Sequence, residues 1–64
     1  MTPKVQYDAS ANAAFIRFSD DSIVESEEVA PGVVFDFDEA GHLVAIELLD
    51  ARAKLPSAVL EEAA

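Results

Sequence analysis

Runs of apolar and polar positions along this chain are interrupted by turn-forming stretches, and each interruption bounds an element. Val5-Gln6-Tyr7-Asp8 alternates apolar and polar, and Ala9-Ser10-Ala11-Asn12 then supplies small and turn-forming residues before Ala14-Phe15-Ile16-Arg17-Phe18. This predicts two antiparallel strands joined by a loop. Ser19-Asp20-Asp21-Ser22 is a second turn, and Ile23-Val24-Glu25-Ser26-Glu27-Glu28-Val29 is mixed and acidic, an edge strand or an irregular arm. Carboxylates at Glu25, Glu27 and Glu28 suit an exposed edge, where they discourage further pairing. Pro31 lacks an amide donor and Gly32 tolerates positive φ, so the pair turns the backbone.

The densest signal follows. Val33-Val34-Phe35-Asp36-Phe37 and His42-Leu43-Val44-Ala45-Ile46-Glu47-Leu48-Leu49 flank Asp38-Glu39-Ala40-Gly41, a β-hairpin with Gly41 as its left-handed residue, closed by a type I turn with a G1 bulge or by a four-residue loop, which differ by one residue in register. With Phe37 opposite His42, Phe35 pairs with Val44 and Val33 with Ile46, giving one strongly apolar face. The other face then carries Val34, Asp36, Leu43, Ala45, Glu47 and Leu49. Both faces are too apolar for open solvent, so Phe35, Phe37, Val44, Ile46 and Leu48 are expected in the core or in a homodimer interface. Beyond Leu49, Asp50 suits the N-cap of a short turn over Ala51-Arg52-Ala53-Lys54 that Leu55-Pro56 ends, and Ser57 suits the start of another. Ala58 to Glu62 is too short to be helical alone, so Leu55, Val59 and Leu60 must dock. The expected fold is a single β-dominated α+β domain over residues 1–64: an antiparallel sheet of four to five strands with a short C-terminal helix.

Size sharpens the need for a partner. A chain of 64 residues buries only about 60% of its unfolded surface. With no cysteine and one histidine, neither a disulfide nor a structural zinc site is expected to staple it. Self-association is the remaining route. The lack of cysteine fits a reducing compartment, and no segment has the length or flanks of a membrane span or a secretion signal, so a cytoplasmic location is expected, with no membrane partner.

Thirteen acidic residues against four basic ones give a formal charge of -9. Direct binding to nucleic acid is thereby disfavoured. Such a surface keeps a small protein soluble, and it steers association with a cationic protein. Glu25, Glu27 and Glu28, with Asp36, Asp38 and Glu39 at the hairpin, are the candidate contacts for a basic partner.

Candidate chemistry is sparse. Asp36, Asp38, Gly41 and Glu47 fall at the first, third, sixth and twelfth positions of a helix-loop-helix calcium loop. Ala40 stands where a ligand is needed, however, and the flanks are strands. In the expected register Glu47 also lies beside Gly32, about 13 Å along the strand from Asp36. His42 is the only group that titrates near neutrality, which is thin support for general-base catalysis. No serine sits in a nucleophile elbow. Arg17 reads as an ion-pair partner of a nearby carboxylate, and Phe15, Phe18, Phe35 and Phe37 as core, interface or the lining of a small pocket. No cofactor and no enzymatic activity are expected.

Taken together, Tyr7-Asp8, Ala13-Ala14-Phe15-Ile16-Arg17-Phe18, the run Glu28-Val29-Ala30-Pro31-Gly32-Val33-Val34-Phe35-Asp36-Phe37-Asp38-Glu39 with Gly41, and Leu43-Val44-Ala45-Ile46-Glu47-Leu48-Leu49-Asp50-Ala51 resemble domain of unknown function family 2283, a group of small bacterial proteins. Asn12, Ala14 and Ala45 depart from it where the family often has Asp, Leu and Gly. The resemblance implies a compact β-rich fold with a C-terminal helical piece and no established activity. Bacterial families of this kind are sometimes suspected as the acidic member of a toxin and antitoxin pair, which fits the charge. The expected function is therefore a homodimeric, non-enzymatic protein-binding module, antitoxin-like in one form, with a small-ligand or metal-binding protein as the alternative.

Overall fold

A computed structural model describes residues 3–63. Five strands form one antiparallel sheet: β1 (Lys4–Asp8), β2 (Ala13–Arg17), β3 (Glu25–Ala30), β4 (Val33–Phe37) and β5 (Leu43–Leu49). Two short helices follow, α1 (Ala51–Lys54) and α2 (Ser57–Ala63). This is the β-dominated α+β class that the hydrophobic pattern predicts, with the C-terminal helical piece divided in two at Leu55-Pro56. Leu55 is extended (φ -121°, ψ 148°), as the clash with the Pro56 ring requires.

Spatial order is β1-β2-β5-β4-β3. The consecutive strands β3, β4 and β5 form a meander, and β2 lies against β5, which is a Greek-key arrangement. Residues 18–24 connect β2 to the far edge of the sheet. The acidic stretch is thus the edge strand β3, and all six of its residues are exposed.

The central hairpin pairs Phe35 with Ile46 and Val33 with Leu48, two positions away from the expected register. One position comes from the turn, where Phe37 is opposite Leu43 rather than His42. The other comes from a bulge: Val44 lies unpaired with β4, between Leu43 opposite Phe37 and Ala45 opposite Asp36, and its carbonyl accepts the Phe18 amide at 2.8 Å. A slip of two is one full side-chain period, so Val33, Phe35, Ile46 and Leu48 still share one face, and Val34, Asp36, Ala45, Glu47 and Leu49 the other. Neighbouring strands add Val5, Tyr7, Ala14 and Ile16 to the first face.

The helices cover part of that first face. Ala14, Leu48, Ala51 and Leu60 form the buried cluster, with Tyr7, Ile16, Val33, Ile46 and Leu55 packed against it. α2 packs over β1, which leaves Phe35 and Phe37 half-buried on the β4 side, edge to face with ring centroids 6.5 Å apart. The small Ala14, where a larger residue is common in the resembling family, is 3% exposed and lies in the cluster.

Asp50 holds the N-cap position of α1 but does not cap it with its side chain. Its backbone is left-handed (φ 54°), and the cap comes from Asn12. The Asn12 carbonyl accepts the Ala51 amide at 2.9 Å, and its Oδ1 accepts the Arg52 amide at 3.0 Å and the Tyr7 hydroxyl at 3.2 Å. Asn12 Nδ2 in turn donates to the Asp50 carboxylate at 3.0 Å. The β1–β2 loop is thereby tied to the start of the helical segment.

Candidate functional site

Charge is distributed unevenly among interactions. Among the described residues, the single contact of ion-pair geometry joins His42 Nδ1 to Asp38 Oδ2 at 3.5 Å, on a histidine side chain 79% exposed. Three of the four basic side chains instead donate to backbone carbonyls: Arg17 to Asp21 at 2.6 Å, Arg52 to Ala9 at 3.1 Å and Lys54 to Leu49 at 2.7 Å. Arg17 is therefore not the carboxylate partner expected of it; its guanidinium also lies 5.9 Å above the Phe15 ring. Among the described residues, no lysine or arginine forms an ion pair with the acidic surface.

The six candidate acidic contacts divide by location. Glu25 and Glu27, opposite Phe37 and Phe35, rim the helix-covered face, and Glu28, opposite Val34, lies on the open face. Glu28 Oε2 also accepts the Gly32 amide at 3.3 Å across the tight turn. Glu39 is exposed at the hairpin tip. Asp38 is spent within the turn: its Oδ1 accepts the amides of Ala40 at 3.0 Å and His42 at 2.8 Å. The His42 amide bond, with the imidazole beside it, holds the Asp38 carboxyl below its ordinary range.

Asp36 is fully buried, although it sits on the face without helices. The Ser26 hydroxyl of β3 donates to its Oδ1 at 2.6 Å, while Oδ2 has no donor among the described residues. From the other side comes Glu47 of β5, whose pKa is raised, first by a carboxyl hydrogen bond to Asp36, then by burial and by the charge of Asp36. A buried carboxylate oxygen without a donor is costly. The register shift creates this pair. Glu47 stands opposite Val34 rather than beside Gly32, so the expected offset of four residues along the strand from Asp36 falls to two, about 7 Å at strand rise. Asp38, turned into the hairpin loop, does not join them, and among the described residues no three His, Cys, Asp or Glu side chains converge as a metal site.

The phenylalanines also divide. Phe15 pairs with Gln6 and Glu47 on the open face, whereas Phe35 pairs with Ile46 on the other, so no pocket is lined by all of Phe15, Phe35 and Phe37. A shallow groove of about 300 Å³ lies instead on the open face, walled by Phe15 and Leu49 with Gln6, Asp8 and Glu47 around it. Of the residues expected in the core or interface, Val44 and Leu48 are buried, and Phe35, Phe37 and Ile46 are half-buried.

No described helix is long and apolar enough to cross a membrane. A sequence model of the family described as protein of unknown function, DUF2283, matches residues 4–52, which takes in the whole sheet and the start of α1. No curated protein and no solved structure matches the chain.

Proposed function

The chain belongs to the DUF2283 family of proteins of unknown function, and on that premise we propose that it is a non-enzymatic binding module of the reducing cytoplasm that engages a basic protein through its acidic sheet edge. The observation that carries this reading is β3. It is an edge strand whose six residues are all exposed, and its three glutamates make no ion pair among the described residues. With a formal charge of -9, the surface attracts a cationic partner over roughly a Debye length, about 8 Å at physiological salt. An antitoxin-like role, in which the partner is a basic toxin, is one form of this reading. Direct nucleic-acid binding and membrane association run against the charge.

The module acts as a homodimer. Its helix pair leaves Phe35 and Phe37 half-buried beside exposed Phe18 and Leu43, and a second copy over this area would complete a core that contains only six buried apolar residues among those described.

A small-ligand reading is second, favoured by the groove between Phe15 and Leu49. Titration with a lysine-rich peptide at low and high salt separates the two. Salt-sensitive binding that is lost when Glu25, Glu27 and Glu28 are all replaced by glutamine supports the binding module. No binding at low salt overturns it.

A further inference from the structure

Resting on the basic-partner reading, we propose that the paired carboxyls of Asp36 and Glu47 form the seat for one cationic side chain, lysine or arginine, of that partner. Three observations support the seat. First, Asp36 is wholly buried and one of its oxygens lacks a donor, so the site holds unspent acceptor capacity. Second, Glu47 is half-buried above it and reaches the open face. Third, Glu28, Val34 and Glu47 lie in one cross-strand row over β3, β4 and β5, with Glu28 and Glu47 about 10 Å apart at ordinary strand spacing. A basic segment that meets Glu28 at the edge is carried by this row directly to Glu47.

The groups around the seat leave it unneutralised. From β2, Arg17 occupies the row of Ala45 and Asp36; one of its guanidinium nitrogens donates to the Asp21 carbonyl, and it makes no ion pair with either carboxyl of the seat. Lys4 of β1 is at the far end of that row, beyond Arg17. From β3 comes Glu28, a like charge, and Ser26, which is not titratable. Asp8 of β1, which lines the same groove as Glu47, adds another carboxylate. Below the raised pKa of Glu47, a proton on that carboxyl therefore stands where a cation would serve. When an ammonium or guanidinium docks, Glu47 loses that proton to buffer, and the pair holds two negative charges beside the new positive one.

Proton release is the distinguishing readout. Isothermal titration calorimetry with a ten-residue peptide of alternating lysine and valine, in two buffers of different ionisation enthalpy, measures it directly. At a pH below the raised pKa of Glu47 the wild-type protein is expected to release up to one proton per peptide bound. At higher pH the release falls to zero, and affinity rises to a plateau. Glu47→Gln should abolish the Glu47 contribution and weaken binding about tenfold above that pKa. Peptide binding with the same proton release in wild type and Glu47→Gln overturns the seat while leaving the acidic-edge reading in place. Failure of the peptide to bind at all overturns both.

Discussion

Ser26 on the edge strand and Asp36 on its neighbour face each other across an antiparallel pair, and the Ser26 hydroxyl donates to Asp36 Oδ1 at 2.6 Å. This bond attaches the acidic edge to the buried carboxyl of the central hairpin. Ser26→Ala removes a donor to a buried carboxylate, so a loss of about 1–3 kcal/mol is expected. Urea denaturation measures the loss, and faster amide exchange concentrated in β3 would locate it at the edge. An unchanged midpoint would show that Asp36 has found another donor.

The Asp36–Glu47 pair fixes the sign of a pH dependence. Because the folded-state pKa of Glu47 is raised above its ordinary value of 4.5, the native state binds the extra proton, and stability falls as pH rises from about 4.5 through the raised value. Asp8 and Asp38 act in the opposite direction. Their carboxyls are held below 3.8, Asp8 chiefly by the Ser10 hydroxyl and Asp38 chiefly by the His42 amide, so their contribution is present above that value and is lost on further acidification. Stability measured against pH should thus decline above the mid-fours. Glu47→Gln should flatten that limb, and a limb identical to wild type would sink the assignment.

Asn12 caps α1 from a distant loop, and its backbone is left-handed at φ 50°. Asn12→Ala removes an acceptor shared by Tyr7 and Arg52 and the donor to Asp50, and places a less tolerant residue in that conformation. A destabilisation of about 2 kcal/mol is expected on the scale of a lost cap. Thermal melting followed by circular dichroism measures it; a change within a few tenths would mean that the loop holds without the side chain.

Leu48 is 8% exposed in the cluster beneath the helices. Leu48→Ala should cost about 2–5 kcal/mol, a large share of the stability of a small domain. The measurement is the denaturation midpoint at fixed protein concentration, since the proposed dimer would make apparent stability concentration-dependent.

Phe37 lies on the same face but near the hairpin end, half-buried against Phe35. On the proposed homodimer, Phe37→Asp should shift sedimentation from dimer to monomer while the far-ultraviolet spectrum retains its β signature. A folded variant with the dimer's sedimentation coefficient would exclude this surface as the interface.

The sequence by itself determined the local elements and their faces. Alternation in Val5 to Asp8 and Val33 to Phe37, the Pro31-Gly32 and Asp38-to-Gly41 breaks, and the Leu55-Pro56 stop are properties of adjacent residues, and each acts through sterics or burial over a few positions. The partition of Val33, Phe35, Ile46 and Leu48 from Val34, Asp36, Ala45, Glu47 and Leu49 was equally legible, because a period of two survives a register slip of two. For the candidate site, the exposed glutamates of β3 were readable as edge guards. Only the tertiary structure decided which strands are neighbours, that Val44 bulges, that Asn12 reaches α1 and that Phe15 lies across the sheet from Phe35. It also brought Asp36 against Glu47, eleven positions along the chain. The bulge that sets their meeting is held by a backbone bond from Phe18 to Val44, between strands that are distant in sequence, and no local propensity encodes such a bond.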